Sequence, residues 1–286
     1  MPKKILVLGS NGQLGSELKT LCCDNISFLS RKELDLADIN KVKAYFATNN
    51  YDLIINCAAY TAVDTAETES EQAFIINSDL VKALGGIAKG SATSLIHVST
   101  DYVFNGKSFT PYKETDKTDP QGVYGSSKRS GEEALLEINP KNCAIIRTSW
   151  VYSEFGNNFV KTMLKLGSDR DELGVIFDQV GTPTYAKDLA QAILTISEKL
   201  HNNAVEIYHY SNEGVCSWYD FTKAIFELAD VECHVKPIET YEYPTPAKRP
   251  AYSILNKSKI KKDFNLEIPY WKDSLKLCIE KLKEKR

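Results

Sequence analysis

The stretch Tyr124-Gly125-Ser126-Ser127-Lys128 sets a phenol and an ammonium four residues apart, which on a helix is the same face. A free tyrosine has a pKa near 10 and gives up its proton reluctantly. Bringing it toward neutrality takes about three pH units, or about 4 kcal/mol, which a neighbouring ammonium and a positive nicotinamide can supply in a sheltered site. A phenol so tuned can protonate a carbonyl oxygen while hydride reaches the carbon, and acid catalysis of this kind contributes about 10² to 10⁴ in rate. Thr100, within Ser99-Thr100-Asp101, offers a hydroxyl to the same oxygen, and Lys128 keeps donors for a nicotinamide ribose. Tyrosine and lysine at this spacing often only decorate a helix. Here they follow a strand-like run ending in Ser-Thr and, further upstream, a glycine turn.

That turn is Gly9-Ser10-Asn11-Gly12-Gln13-Leu14-Gly15, placed after the apolar run 5–8 and opening a helical pattern. In this context glycines allow a sharp bend and close approach of the backbone to a pyrophosphate, which the helix N-terminus attracts. Gly9, Gly12 and Gly15 are therefore expected at a dinucleotide. The second strand ends at Ser30-Arg31, where enzymes selective for NAD place an acidic residue on the ribose 2′-hydroxyl. Arg31 can instead pair with the 2′-phosphate of NADP or stand as a solvated surface arginine. Asp35 can meet the adenine edge or cap the next helix. NADPH is the expected cofactor, with NADH tolerated.

The elements that must position these groups alternate. Apolar runs at 5–8, 26–29, 53–57, 95–98 and 144–146 are separated by helical periodicity at 14–21, 39–46, 71–88 and 124–136. Such alternation calls for an α/β, Rossmann-type doubly wound parallel sheet covered by helices on both faces, with ligands beyond the carboxyl ends of the strands. After about residue 150 the pattern loosens, with polar or proline-bearing stretches at 168–172 and 241–250, and helices are expected at 158–166, 186–200, 218–228 and 271–283. The expected organisation is a dinucleotide-binding domain over 1–150 and a smaller C-terminal lobe, mainly for substrate, over 151–286, with later segments free to return to the first.

Composition narrows the function class. Hydrophobic residues at 43% and charged residues at 26% of 286 are ordinary globular values. A net charge of −3 from 35 basic and 38 acidic residues gives no field that would gather nucleic acid. The apolar runs are too short to span a bilayer, and the run 5–8 is too short for a secretion signal. A cytoplasmic protein acting on small molecules is expected. The seven cysteines, Cys22, Cys23, Cys57, Cys143, Cys216, Cys233 and Cys278, are odd in number and form no Cys-x-x-Cys, so reduced buried thiols are expected.

Taken together, these residues resemble the extended short-chain dehydrogenase/reductase family, in its dTDP-4-dehydrorhamnose reductase branch. The likeness runs nearly the whole chain. It is carried by the glycine turn, Cys57-Ala58-Ala59-Tyr60-Thr61-Ala62-Val63-Asp64, Val98-Ser99-Thr100-Asp101-Tyr102-Val103-Phe104, the Tyr124 to Lys128 stretch, Arg147-Thr148-Ser149-Trp150-Val151-Tyr152, Asn157-Asn158-Phe159 and Arg249-Pro250. The resemblance implies NAD(P)H-dependent reduction of the 4-keto group of dTDP-4-dehydro-L-rhamnose. It also implies Tyr124 as proton donor, Lys128 as its partner and ribose ligand, and Thr100 as the hydroxyl at the carbonyl. Gly12, Gln13, Leu14, Asp35, Leu36, Ala59, Tyr60 and Thr61 would meet the cofactor, and Val63, Asp64, Thr100, Asp101, Trp150, Asn158 and Arg249 the nucleotide sugar. Trp150 can equally be core, and Arg249 surface. Tyr60 stands where relatives often carry histidine. Some members hold magnesium at a subunit interface; no metal-ligand set is legible here, so the metal stays open, as does the oligomeric state, a homodimer being one option. Asp101 is followed by Tyr102, which argues against a dehydratase. An epimerase with retained cofactor, or a regulatory subunit like the beta subunit of methionine adenosyltransferase, would share Tyr124 and Lys128.

Overall fold

The computed structural model describes residues 3–21 and 26–285; Cys22 and Cys23 lie outside them. Six parallel strands build the central sheet: β1 (Ile5–Leu8), β2 (Ile26–Leu29), β3 (Leu53–Asn56), β4 (Ser94–Thr100), β5 (Cys143–Thr148) and β6 (Glu206–His209). Their spatial order is β6-β5-β4-β3-β1-β2. Alternate side chains of one strand point to opposite faces, and both faces are covered. Val7, Ile55, Ile96 and Ile146 pack on one side with Leu18 of helix Gln13–Leu21 and with Ile193 and Ile196 of helix Ala186–Lys199. Leu6, Ile54, Leu95 and Ile145 pack on the other with Val42, Leu84 and Leu135. Burial on both faces is why β1 and β3 read as unbroken apolar runs.

The strand order reverses between β1 and β3, so the chains leaving these two strands diverge and open a crevice at their carboxyl ends. The sixth strand comes from beyond residue 200. It lies parallel to β5, and the sequence reading did not place a strand there. A third apolar cluster gathers Tyr152, Val160, Leu164, Phe221, Ile225, Trp271 and Leu275 from helices Phe159–Asp169, Trp218–Ala229 and Trp271–Glu284 and their neighbours.

Two further differences from the sequence reading bear on the site. The periodic stretch 71–88 is three pieces, helix Ser70–Phe74, a π-helical turn Ile75–Asp79 and helix Leu80–Lys89, because the wide turn brings buried Asn77 to face the chain after β3. Helix Ser258–Phe264 lies in a stretch where none was expected. Of the described cysteines, all five are free thiols, with Cys143, Cys216 and Cys278 buried and Cys57 and Cys233 partly so. No helix among the described residues is long and apolar enough to cross a membrane.

Candidate active site

The glycine turn sits where β1 ends. Gly9 has φ +78°, and a Cβ there would lie 2.6 Å from Ala58 N, so the left-handed turn and the contact with the chain after β3 both require glycine. Gly15 packs its Cα against Ser10 and the Gly9 carbonyl, closing the helix onto the turn. Gly12, by contrast, meets only the Gly9 carbonyl, at 3.4 Å, leaving space above it. A cleft of about 480 Å³ opens there, lined by Gly9, Gly12, Arg31, Asp35, Leu36, Ala59 and Tyr60 among others. Helix Gln13–Leu21 has no acidic residue in its first turn, so its N-terminal amides and partial positive charge face the cleft unopposed. This cradle fits the diphosphate of a dinucleotide.

Not every expected cofactor residue offers its side chain. Leu14 is buried in the sheet core. The Gln13 amide donates to Val151 O at 3.3 Å and accepts from Asn158 Nδ2 at 2.9 Å. With Gly15 packed beneath the turn, these three have backbone to offer. Arg31 is 83% exposed and approaches Asp35 at 3.8 Å, while Asp35 accepts from Ala37 N at 3.2 Å. Thr61 is exposed and Val63 half-buried. The Tyr60 hydroxyl donates to Glu69 at 2.7 Å, and this bond raises its pKa.

At the end of β4, Thr100 and Asp101 are buried. The Thr100 hydroxyl donates to Asp101 Oδ1 at 3.0 Å and accepts from Tyr102 N at 3.2 Å, beside the Tyr124 phenol. Tyr102 stacks edge-on against Tyr124, ring centroids 5.4 Å apart, and orients the phenol. Burial raises the Asp101 carboxyl to about 7 against the hydrogen bond from Thr100, and its Oδ2 has no partner among the described residues.

The expected lowering of the Tyr124 phenol is not what this site shows. Burial pushes it up to about 12, with the Thr100 hydroxyl opposing and the Asp101 charge adding to the rise. Lys128 does share the helix Val123–Ile138 with Tyr124, but it is turned into the sheet. Its Nζ donates to Val98 O at 2.6 Å and meets His97 Nε2 at 3.3 Å, and burial lowers it to about 8 against the charges of Glu132 and Cys57. The phenol is thus a firmly held acid, and any lowering must come with bound ligands.

Several residues that organise the site were not singled out in the sequence. Asn77 accepts from Tyr60 N at 2.9 Å and donates to Tyr60 O and to Ser127 Oγ, at 3.1 and 3.0 Å, while Ser127 Oγ donates to Tyr124 O at 2.9 Å. This chain of bonds fixes the cleft wall relative to the helix that carries Tyr124. Below it, Glu132 takes both Arg147 Nε and Nη2, at 2.9 and 2.7 Å, and Ser99 Oγ at 2.6 Å, all fully buried. Arg147 was visible only as part of the family likeness, and a lone Glu in an amphipathic helix carries no local signal. Asn56 and His97, the last and a central residue of neighbouring strands, carry none either.

The remaining expected residues are placed as follows. Trp150 lies two residues beyond β5 with φ +49°, its ring stacked on Trp218 with centroids 3.4 Å apart. A bulky residue in the left-handed region costs about 1 to 3 kcal/mol and tends to mark function. Asn158 caps helix Phe159–Asp169 and donates to Ser153 O at 2.7 Å. Arg249 holds both oxygens of Asp64, at 3.0 and 2.7 Å. Among the described residues, no group of three or more His, Cys, Asp or Glu could hold a metal ion.

Comparison with known proteins fits this geometry. The family model described as RmlD substrate binding domain matches residues 3–284. A spore coat polysaccharide biosynthesis protein of Bacillus subtilis is 43% identical over 279 residues, 96% of this chain and 95% of its own. A dTDP-4-dehydrorhamnose reductase of Sinorhizobium fredii is 42% identical over 286 residues, 96% of each chain. The crystal structure of the Bacillus anthracis dTDP-4-dehydrorhamnose reductase in complex with NADP superposes with a TM-score of 0.91 at 36% identity, covering 98% of this chain and 100% of that one. With a family model matched from end to end and relatives above 40% identity over almost their whole length, this chain belongs to the RmlD substrate binding domain family.

Proposed function

We propose that the chain reduces the 4-keto group of dTDP-4-dehydro-L-rhamnose to dTDP-L-rhamnose, with NADPH preferred over NADH. The named relatives support this, and so does one observation above the rest. A protonated phenol, Tyr124, lies beside the Thr100 hydroxyl at the sheet's carboxyl edge and is tied through Ser127 and Asn77 to the wall of the nucleotide cleft.

In this reading Gly9, Gly12 and the first amides of helix Gln13–Leu21 hold the diphosphate, Arg31 the 2′-phosphate, and Asp35, Leu36, Ala59 and Tyr60 the nucleoside walls, with Thr61 following Tyr60 in the chain after β3. When bound, the reduced nicotinamide supplies hydride. Tyr124 holds the matching proton at its Oη for the keto oxygen, and Thr100 offers its hydroxyl to that oxygen or to the phenol. Lys128 serves the ribose and the phenol's charge. Asp101, with a free buried oxygen, meets a sugar hydroxyl, and Trp150 gives an apolar face to the 6-methyl group. Val63, Asp64, Asn158 and Arg249 complete the nucleotide side, with 151–286 supplying most of the substrate lobe.

Steady-state oxidation of NADPH with the dTDP-4-keto sugar tests the reading. Tyr124→Phe should lower kcat by about 10² to 10⁴ with NADPH affinity retained. A wild-type chain that binds NADPH and leaves the keto sugar unreduced would overturn it.

A further inference from the structure

Lys128 faces a pair of buried residues whose hydrogen bonds admit one self-consistent placement of protons. Asn56, at the end of β3, lies in register with His97 of β4, and both are fully buried. Asn56 Oδ1 accepts from Ala58 N at 3.1 Å, Asn56 Nδ2 lies 3.1 Å from His97 Nδ1, and His97 Nε2 lies 3.3 Å from Lys128 Nζ. Which way an amide points and which ring nitrogen carries the proton follow from the network around them. A backbone N–H can only donate, so Asn56 must turn its oxygen to Ala58 and its NH2 to His97. Nδ1 therefore accepts. Burial holds the imidazole neutral, so its single proton sits on Nε2. That N–H is aimed at Lys128 Nζ. An ammonium has donors only, whereas an amine has a lone pair to receive it.

We propose that Asn56 and His97 are positioning residues acting through Lys128: Asn56 locks His97 as the Nε2–H tautomer, and that N–H favours the amine form of Lys128. The inference rests on the reading that Lys128 serves Tyr124. The other groups facing Lys128 do not cancel the effect. From β4 there is the Val98 carbonyl; from the chain after β3 there is Cys57, a thiol that burial raises to about 12. From its own helix comes Glu132, whose carboxylate is already taken by Arg147, Arg129 and Ser99. Lys128 is then a side chain that exchanges its proton close to neutral pH, not a permanent ammonium.

The test reads ionisation directly and needs no turnover. In the intact chain, long-range ¹H–¹⁵N correlations of the His97 ring should show a protonated Nε2 and a bare Nδ1; the opposite tautomer, or an imidazolium at neutral pH, overturns the proposal. In protein labelled at lysine Cε with ¹³C, the Lys128 resonance is assigned by its loss in Lys128→Met and titrated. His97→Gln presents a carbonyl that an ammonium can use, so the Lys128 midpoint should rise by about one pH unit. An unchanged or lower midpoint overturns the proposal. If instead NADPH oxidation is absent in wild type while both spectra behave as expected, the reductase reading fails and the Asn56–His97–Lys128 linkage stands.

Discussion

Arg31 stands on the rim of the nucleotide cleft with little to hold it, since its contact with Asp35 is long and exposed. A pair of that kind is worth little, so the guanidinium can turn to a phosphate at small cost. Arg31→Ala should therefore lower the ratio of kcat/KM for NADPH to that for NADH by about tenfold or more, mostly through NADPH. An unchanged ratio would mean that the 2′-phosphate is read elsewhere. Asp101 gives a second prediction. Its folded pKa is raised to about 7 from an ordinary 3.8, so the folded state binds the extra proton between those values. The stability this contributes is complete below the lower value and is lost as pH rises through the upper one. Asp101→Asn keeps a neutral side chain throughout, so its Tm should gain on wild type between about pH 4 and about pH 7 and hold that gain above. Parallel Tm curves would show that Asp101 titrates as an ordinary carboxyl.

The site depends on how closely its elements approach. Helix Val123–Ile138 lies so near the π-helical turn Ile75–Asp79 that a Cβ on Gly131 would strike the Asn77 carbonyl. A backbone oxygen cannot swing aside as a side chain can. Gly131→Ala should cost about 1 to 3 kcal/mol in urea unfolding and lower kcat as well, because Asn77 is what joins Tyr60 to Ser127 and so to Tyr124. Wild-type kcat in a destabilised variant would show that the Asn77 bridge is not needed for the chemistry. This approach was only partly legible beforehand. The helix bearing Tyr124 and Lys128 is amphipathic and stood out by period, as did the apolar strands β1, β3 and β4. A π turn inside a helix keeps the residue types of a helix, so 71–88 read as one element. β6 was hidden for another reason: four residues that begin with Glu206 and end with His209 have no alternation to reveal them, and their place is set by β5, about sixty residues earlier. Lys128 stood out by its spacing from Tyr124 while its surroundings were not legible, since the partners that turn it inward, His97 and Val98, belong to a strand whose register no local pattern fixes.

Across the whole molecule, the chain after residue 150 is bound back to the sheet at several points. β6 extends it, helix Ala186–Lys199 packs on it, and Asp64 with Arg249 joins the chain after β3 to a segment 185 residues on. The last of these is the one charge can report. Arg249 and the Ala247 amide hold the Asp64 carboxyl below its ordinary 3.8. A carboxyl lowered on folding contributes stability that is present above its unfolded pKa and lost as pH falls through the folded one. The two side chains are 39% and 24% exposed, so solvent screens the pair and its worth is about 1 kcal/mol or less. Asp64→Asn keeps the shape and removes the charge. Its deficit in urea unfolding should be steady at neutral pH and close below about pH 4, where wild-type Asp64 is itself becoming neutral. A deficit that persists in acid would mean that the carboxyl packs rather than pairs. Because the same arginine is the residue proposed to reach the nucleotide, the variant also separates two roles. If Arg249 leaves Asp64 to bind substrate, Asp64→Asn frees it and KM for the nucleotide sugar falls; if Asp64 instead holds Arg249 in the binding position, KM rises while kcat is kept.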